Sequence, residues 1–353
     1  MRRILLDNIS SRMKLAKPLY SSDGTVLFNA GTQMNAGITY QLKKLKVTYV
    51  YIEEDSAFDI DVPDVINEKT RVNAVASVKE LFEKVRLGQN IDLNQIRKTV
   101  DLLVSELSKN KGMVNFIDMR TVDDYLYSHS VNVCVLSIMA GISIGYDKEC
   151  LNELGVGALL HDIGKLGVSP ELLAKNGRFS QQEEDEIKEH PLIGFNILDK
   201  NPKISSLSAQ CVMQHHERIN GSGYPKGCKG DEINRYAQIV GIADVYDALV
   251  SGSCYRRATS VYEAIALIKK ASGTCFNNEL VQVFTDNIAV YPIGSVVRLS
   301  NKQIGVVVDV SRESKTKPVL RILLDENKVP VTDFSEIDLS KNTSLYIADT
   351  VER

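Results

Sequence analysis

The stretch LNELGVGALLHDIGK, residues 151–165, decides the fold expected for this chain of 353 residues. Its first ten residues have the composition of a core helix, and His161 and Asp162 follow at the end of that apolar run. A charged aspartate at a buried position costs free energy unless a cation compensates it. The apolar stretch RYAQIVGIADVYDALV repeats this combination, with Asp244 and Asp247 on roughly one helix face. Both stretches predict a helical core that holds acids beside a cation.

Helical periodicity extends outward from this stretch, from about residue 65 to residue 287. Pro170 and the pair Asn176-Gly177 interrupt the pattern, as helix boundaries do. One apolar stripe at 3.6-residue spacing runs through residues 91–108. Similar stripes run through 125–146, 149–162, 203–217, 234–251 and 261–272.

Both ends of the chain have the pattern of small β-rich modules. Short apolar runs alternate with turn signals such as Asp23-Gly24 near the N-terminus, and β-branched runs alternate with polar turns near the C-terminus. The sequence therefore predicts a mainly α fold, in which a helical domain is flanked by small N-terminal and C-terminal β-rich modules. The expected boundaries are 1–60 for the N-terminal module, 65–118 for a helical connector, 119–288 for the main helical domain and 289–353 for the C-terminal module.

Composition and charge exclude several classes of protein. A net charge of −3 and a pI near 6.0 argue against a binder of nucleic-acid polymers, which would present a basic face. The six cysteines lie far apart without a CxxC pair, which indicates reduced thiols in a cytoplasmic protein. The longest apolar run, Val131 to Tyr146, is shorter than the ~20 residues of a membrane span. We therefore expect no transmembrane segment.

All five histidines lie between positions 129 and 216, inside the helical region. A single histidine near a core is usually a hydrogen-bonded structural residue, and a His-Asp pair can be a structural hydrogen bond. Five histidines together with buried acids are better explained by metal binding. Imidazole and carboxylate bind Fe, Mn or Zn in hydrolytic sites, and a carboxylate can bridge two ions.

Five motifs in this region resemble those of the HD-GYP family, a branch of the HD superfamily of metal-dependent phosphohydrolases. They are YLYSHSVNV, HDIGK, EHPLIGFNIL, QHHERINGSGYP and IADVYDAL, in the order of the family and over about residues 120–275. The resemblance implies an all-α HD-type domain with a centre of two or three metals. It also implies a cyclic dinucleotide substrate, typically cyclic di-GMP, which is hydrolysed to pGpG, GMP or both.

The resemblance also implies roles for individual residues. One metal would be held by His129, His161, Asp162 and Asp244. Asp162 would bridge to a second metal, held by His190, His215 and His216. Coordination would bring the pKa of the attacking water towards neutrality. Asp162 and Lys165 are therefore the expected catalytic residues, and the alternative for Lys165 is a solvated lysine at a helix end.

The loop NGSGYP, residues 220–225, fits a tight turn beside such a site. Its two glycines permit close backbone approach, Pro225 stiffens the exit, and Tyr224 offers a ring and a hydroxyl. An ordinary turn between helices is the alternative. The expected substrate-binding residues are Lys165, Gly223, Tyr224, Pro225 and Arg256.

Three departures from the family pattern modify these expectations. Tyr125 stands where some members have a glutamate that binds a third metal, so we expect two divalent ions, Fe or Mn. Asn220 replaces the aspartate that usually begins the loop, which weakens its expected anchoring. Ser253 stands where the family has an arginine that contacts the substrate, which leaves Arg256 as the candidate substrate cation and Arg257 as a weaker one.

Three functions follow in order of preference. The first is a cyclic di-GMP phosphodiesterase, and the second is a phosphohydrolase of another cyclic dinucleotide or nucleotide. The third is a weakly active or inactive receptor or scaffold, which would bind the dinucleotide and signal through its β-rich modules. The sequence leaves open a homodimer or a signalling protein as partner.

Overall fold

The structure is a computed structural model in which the chain divides into two compact units. One unit is helical and contains the described residues from Ile66 to Asn287, and the other is β-rich and contains those before and after. The structure describes residues 1–21, 25–45, 47, 49–53, 59–60, 62, 64–89, 91–109, 125–175, 177–251, 259–331 and 335–351.

The described residues form helices at positions that the periodicity predicts, with shifts of a few residues at the ends. A 3-10 turn at Ile163–Gly167 follows the helix that carries the HDIGK motif. The α-helices are α1 (Ala36–Lys44), α2 (Glu68–Arg86), α3 (Leu93–Lys109), α4 (Tyr125–Ile144), α5 (Lys148–Leu160), α6 (Pro170–Ala174), α7 (Gln181–Lys188), α8 (His190–Leu198), α9 (Ser206–Gln214), α10 (Arg235–Ser251), α11 (Val261–Lys270) and α12 (Asn278–Asp286).

Helix α3 shows how an apolar stripe becomes a packed face. Its buried side chains are the six apolar residues that recur at helical spacing, and the helix packs against α2, α4 and α5. Removal of such a face from water stabilises a helix by roughly 25 cal/mol for each Å² of apolar surface. The stripe consists of Leu93, Ile96, Val100, Leu103, Val104 and Leu107.

Helix α4 has 20 residues, which makes it long and apolar enough to cross a membrane by length and composition. The apolar run that begins at Val131 is shorter than this helix, because the helix begins six residues earlier. However, 83% of its most apolar window is buried inside the protein, by contacts that include α2, α5 and α10. Helix α4 is accordingly no clear membrane span.

The β-rich unit contains two antiparallel sheets of at least three strands and one hairpin, β3-β4. The first sheet has the order β1-β5-β2 and the second the order β10-β6-β7-β8-β9. The strands are β1 (Arg2–Leu5), β2 (Lys14–Leu15), β3 (Leu19–Tyr20), β4 (Val26–Phe28), β5 (Tyr49–Glu53), β6 (Val296–Leu299), β7 (Ile304–Asp309), β8 (Val319–Leu324), β9 (Glu336–Asp338) and β10 (Ile347–Thr350).

Each sheet has its own apolar contacts. Leu15, Leu42 and Ile52 belong to a cluster that packs α1 onto the first sheet. In the second sheet, Val306 packs with Ile60, a residue from the N-terminal part of the chain. Arg321 adds a bidentate ion pair with Asp59, with one nitrogen-oxygen distance of 2.9 Å. The two ends of the chain therefore contribute to one unit.

The fold class is confirmed: the protein is mainly α, with small β-rich modules at both ends. The predicted turn at Asp23-Gly24 and the predicted boundary between residues 118 and 119 lie outside the described residues. The four domain boundaries stay predictions.

Candidate metal centre

Three of the five histidines each lie at or just after the end of a helix. His161 follows the last residue of α5, His215 follows the last residue of α9, and His190 comes two residues after α7 and opens α8. Carbonyl groups in the last turn of a helix lack intrahelical partners and can accept hydrogen bonds from other groups. The Nδ1 atom of each ring lies 2.8, 2.7 and 2.7 Å from such a carbonyl, which belongs to Ala158, Val212 and Ile187, respectively.

These bonds fix the tautomer of the three rings. A carbonyl only accepts, so Nδ1 of each ring carries the proton and donates it. The Nε2 atom of each ring is then left with a free lone pair, which is the form in which histidine binds a metal. The helix ends therefore hold three ring nitrogens in the form that can bind a metal.

His129, in the middle of the first motif, is held by carboxylates instead. Its Nδ1 lies 2.7 Å from Oδ2 of Asp247, and its Nε2 lies 3.1 Å from Oδ1 of Asp244. Burial alone would lower the pKa of His129, but the two carboxylates raise it to about 10. A cation between His129 and Asp244 would take the place of that Nε2 proton.

Asp162 lies between two groups of potential ligands. Its Oδ2 is 3.4 Å from Nε2 of His161 and 3.8 Å from Nε2 of His129, and its Oδ1 is 3.4 Å from Nε2 of His190. Ligand atoms that lie within 4.8 Å of one another form two groups, and Asp162 belongs to both. The groups are His129, His161 and Asp162, and Asp162, His190, His215 and His216. This is the arrangement that a bridging carboxylate requires.

The residues present fit divalent cations. His161 Nε2 and Asp162 Oδ1 are buried and have no hydrogen-bond partner within the described part of the chain. His190 Nε2 and His215 Nε2 lie 3.3 Å apart, although the Nδ1 contacts leave both without a proton. Lone pairs that face each other in a buried site repel unless a positive charge lies between them. Imidazole nitrogens and carboxylate oxygens are ligands for Fe, Mn and Zn.

Asp244 and His216 complete the cluster. Asp244 Oδ1 lies 4.0 Å from Nε2 of His161, and its Oδ2 lies 3.7 Å from Nδ1 of His216. The ring of His216 stacks on that of Tyr224, with centroids 4.6 Å apart. The structure thus brings together all seven residues that the sequence singles out as metal ligands, and their assignment as ligands stays a proposal.

The pKa shifts of Asp162, Asp244 and His190 favour the protonation states that bind a metal. Burial opposes charge on Asp162, but Lys165 and His161 hold the pKa of Asp162 well below its usual range. His129 and His216 do the same for the pKa of Asp244, against the effect of burial. Burial lowers the pKa of His190 to about 4. The carboxylates are therefore ionised at neutral pH, and His190 is neutral.

Lys165 lies on the 3-10 turn directly after Asp162. Its Nζ is 2.6 Å from Oδ2 of Asp162, and about a quarter of its side chain, 24%, is exposed. Burial would lower the pKa of Lys165, but Asp162 raises it, so the side chain stays protonated. Lys165 therefore places a positive charge at the rim of the cluster, beside the shared carboxylate.

Gly164 allows this turn to approach His190. A Cβ atom at position 164 would collide with the carbonyl oxygen of His190 and with the backbone of Gly194. Only glycine lacks this atom, so the turn of the HDIGK motif can pack directly onto the start of α8. This contact places the turn that follows Asp162 directly against the start of α8.

The loop 220–225 is anchored by Glu217, a residue that sequence reasoning did not assign a role. The buried Glu217 carboxylate accepts hydrogen bonds from the backbone N–H groups of Lys226, Gly227 and Cys228, at 2.8, 3.1 and 3.0 Å. Asn220 still accepts from the N–H of Ser222 at 3.0 Å, as an aspartate could. The acidic residue directly after the histidine pair was the signal that could have identified this anchor.

The predicted substrate-binding residues occupy different places. Tyr224 lies beside the cluster and is followed by a cis peptide bond to Pro225. Gly223 packs on the backbone of residues 216–218, where a Cβ atom would collide, so it has a packing role. Arg256, together with Ser253 and Arg257, lies outside the described residues.

Comparison with known proteins identifies both the helical region and the C-terminal module. A family model described as an HD domain matches residues 120–280, and one described as a KOW domain associated with an HD domain matches residues 296–353. Residues 120–280 therefore contain an HD domain. This HD domain contains all seven clustered side chains and Lys165.

Curated relatives extend this result. The chain is 32% identical over 260 residues to the cyclic di-GMP phosphodiesterase PA4108 of Pseudomonas aeruginosa. This alignment covers 73% of this chain and 63% of the relative. It is also 35% identical over 208 residues to a cyclic di-GMP phosphodiesterase of Thermotoga maritima. That alignment covers 59% of this chain and 55% of the relative. The chain thus spans less than two thirds of the length of these relatives.

A solved structure supports the fold. Bd1817, an HDG"Y"P protein from Bdellovibrio bacteriovorus, superimposes with a TM-score of 0.52 at 20% identity. The superposition covers 80% of this chain and 98% of Bd1817. At that identity the likeness concerns the fold alone.

Proposed function

We propose that this protein belongs to the HD-GYP branch of HD-domain proteins and is a metal-dependent phosphodiesterase that hydrolyses cyclic di-GMP to pGpG, GMP or both. The observation that carries the proposal is the position of Asp162, which belongs to both groups of buried ligands. A carboxylate shared by two cation sites suits in-line attack on a phosphodiester. The two curated relatives described above carry the name of this activity.

The proposed cofactors are two divalent ions, Fe or Mn. His129, His161, Asp162 and Asp244 would hold one ion, and Asp162, His190, His215 and His216 the other. Bound there, such ions supply an activated water and charge stabilisation for the phosphoryl group. Tyr125 stands where some HD-GYP proteins have a glutamate that binds a third metal, which favours two ions over three. Its ring stacks on that of His129, with centroids 5.3 Å apart.

The protein's own residues would contribute orientation and charge. The protonated Lys165 is close enough to the cluster to stabilise a phosphate oxygen or the leaving oxygen of the substrate. The half-buried ring of Tyr224 would contact the substrate next to His216. Gly223, Pro225 and Arg256 complete the proposed substrate-binding set, in which Arg256 supplies a cation and Gly223 shapes the loop.

A substrate panel tests this proposal. The Mn-loaded chain is incubated with cyclic di-GMP, a mixed guanine-adenine cyclic dinucleotide, cyclic di-AMP and a nucleoside phosphate, and products are separated by chromatography. We expect cyclic di-GMP to be cleaved fastest. Faster cleavage of another compound would mean that this compound, and not cyclic di-GMP, is the substrate. Tight binding of cyclic di-GMP without turnover would favour the receptor or scaffold function.

We further propose a cytoplasmic protein. The five cysteines among the described residues, Cys134, Cys150, Cys211, Cys228 and Cys275, are free thiols, which is typical of a reducing compartment. A homodimer or a signalling protein remains the proposed type of protein partner, and cyclic di-GMP or a related cyclic dinucleotide the proposed small-molecule partner.

A further inference from the structure

Asp247 distinguishes one histidine of the cluster from the others. His161, His190 and His215 donate their Nδ1 protons to backbone carbonyls, whereas His129 donates to the Asp247 carboxylate at 2.7 Å. A charged acceptor makes a stronger hydrogen bond than a neutral carbonyl and raises the basicity of the ring as a ligand. The two groups of ligands are therefore supported unequally.

The Asp247 carboxylate is itself held from several directions. Its Oδ2 accepts from His129, and its Oδ1 accepts from Nδ2 of Asn132 at 2.8 Å and from the hydroxyl of Ser251 at 3.2 Å. Only 2% of Asp247 is exposed. Its partners come from α4 and α10, so the contact also joins the two helices that carry His129 and Asp244. Such a carboxylate cannot rotate away from the histidine without losing buried hydrogen bonds.

Asp247 does not itself belong to either group of potential ligands among the described residues. Asp244, three residues earlier on α10, faces the other nitrogen of the same imidazole at 3.1 Å. The two acids thus bracket the His129 ring, and only Asp244 lies on the side of the cluster. The Asp247 carboxylate would therefore act on a cation in the cluster only through His129.

We propose that Asp247 is a positioning residue that holds Nε2 of His129 towards Asp162 and Asp244 and strengthens cation binding by the group His129, His161 and Asp162. This inference rests on the metal centre of the proposed function and adds a residue to it. It predicts that loss of the Asp247 charge weakens one cation site and leaves the site of His190, His215 and His216 intact.

Titration of the metal-free full chain with Mn²⁺ tests this inference without any turnover assay. For Asp247→Asn, which keeps the shape of the side chain, we expect one of two sites to weaken by about 10- to 100-fold. The second site keeps its affinity. Asn132→Ala, which removes one hydrogen bond to the carboxylate, should cause a smaller loss at the same site. The matched control is Asp185→Asn on the exposed face of α7, which should bind Mn²⁺ as the wild type does.

Thermal unfolding of the metal-free variants distinguishes a positioning role of Asp247 from a general contribution to the stability of the fold. Unchanged Mn²⁺ affinity in Asp247→Asn would overturn the inference, and so would equal weakening of both sites together with a lower melting temperature of the metal-free chain. Failure of the wild type to bind Mn²⁺ would instead remove the proposed metal centre, so the two failures are distinguishable.

Discussion

The Nε2 atoms of His190 and His215 face each other at 3.3 Å, although the Nδ1 bonds of both rings to backbone carbonyls leave neither Nε2 with a proton. Two lone pairs at that distance in a buried site need a positive charge between them or beside them. The same pair lies next to Asp162, whose Oδ1 has no hydrogen-bond partner among the described residues. These contacts are the strongest physical reason to place a cation there.

The two ligand groups should lose ions independently. His190→Ala removes a ligand of one group only, so we expect metal content to fall from about two ions per chain to about one. His161→Ala should remove the other ion, because its Nε2 belongs to the other group. Elemental analysis of both variants after dialysis checks this, and two ions retained in either variant would contradict the division into two groups.

Lys165 should affect turnover more than metal content. Lys165→Ala removes the positive charge 2.6 Å from Asp162, and we expect kcat to fall by about 10²- to 10³-fold, the usual loss for one transition-state donor. The metal ligands remain in place, so elemental analysis should show the wild-type content. Lys165→Arg, which keeps the charge, serves as the control, and an unchanged kcat in Lys165→Ala would argue for a solvated lysine without a catalytic role.

Acid should destabilise the metal-free protein through its buried histidines. The pKa of His190 is about 4 when folded and 6.5 in its ordinary state, so between these values the unfolded chain binds more protons. Stability contributed by the neutral ring is present above pH 6.5 and is lost as the pH falls towards 4, by up to about 1.4 kcal/mol per pH unit. Urea unfolding of the metal-free His190→Gln variant should show a shallower acid dependence than the wild type.

His129 should change the stability of the metal-free protein with pH in the opposite direction. Its pKa, raised to about 10 by Asp244 and Asp247 against the effect of burial, means that its stabilisation is complete below pH 6.5 and is lost as the pH rises towards 10. His129→Gln should therefore flatten the alkaline side and leave the acid side unchanged. Identical pH profiles for both variants would contradict the protonation states assigned to the two rings.

Tyr125 should limit the number of ions. Its ring stacks on that of His129 with an interplanar angle of 13°, so a side chain at this position reaches the edge of the cluster. In Tyr125→Glu a carboxylate replaces the ring, and we expect metal content to rise from about two ions towards three, since carboxylates bind the same cations. Tyr125→Gln is the control without charge, and equal metal content in both variants would mean that the position does not determine the number of ions.

Much of the fold was predictable because residue spacing reports burial. The stripe of α3, from Leu93 to Leu107, is buried as its periodicity indicates. Helix α4 spans nearly the residues of the stripe predicted at 125–146, although it is buried on nearly all sides. Strand β1 was not predicted, because it is only four residues long and is defined by pairing with β5, more than forty residues later.

The site was predictable in its chemistry and less so in its geometry. Residue types and motif order single out the seven clustered side chains, including Asp162 and Asp244. The family resemblance assigned a role to Asp244 and none to Asp247, and spacing alone places both acids on one face of α10. The position of His129 between them is what gives Asp247 a role. The carbonyls that orient His161, His190 and His215 were also invisible, because they depend on where each helix ends.

The central claim is that two divalent ions share Asp162 and drive hydrolysis of cyclic di-GMP. Its most direct test is elemental analysis of anaerobically purified chain, followed by a cyclic di-GMP turnover assay on the same sample, for the wild type and Asp162→Ala. We expect about two Fe or Mn ions per wild-type chain with turnover, and loss of both ions and of activity in the folded variant. Full metal content in Asp162→Ala, or a metal-loaded wild type that leaves cyclic di-GMP intact, would contradict the account.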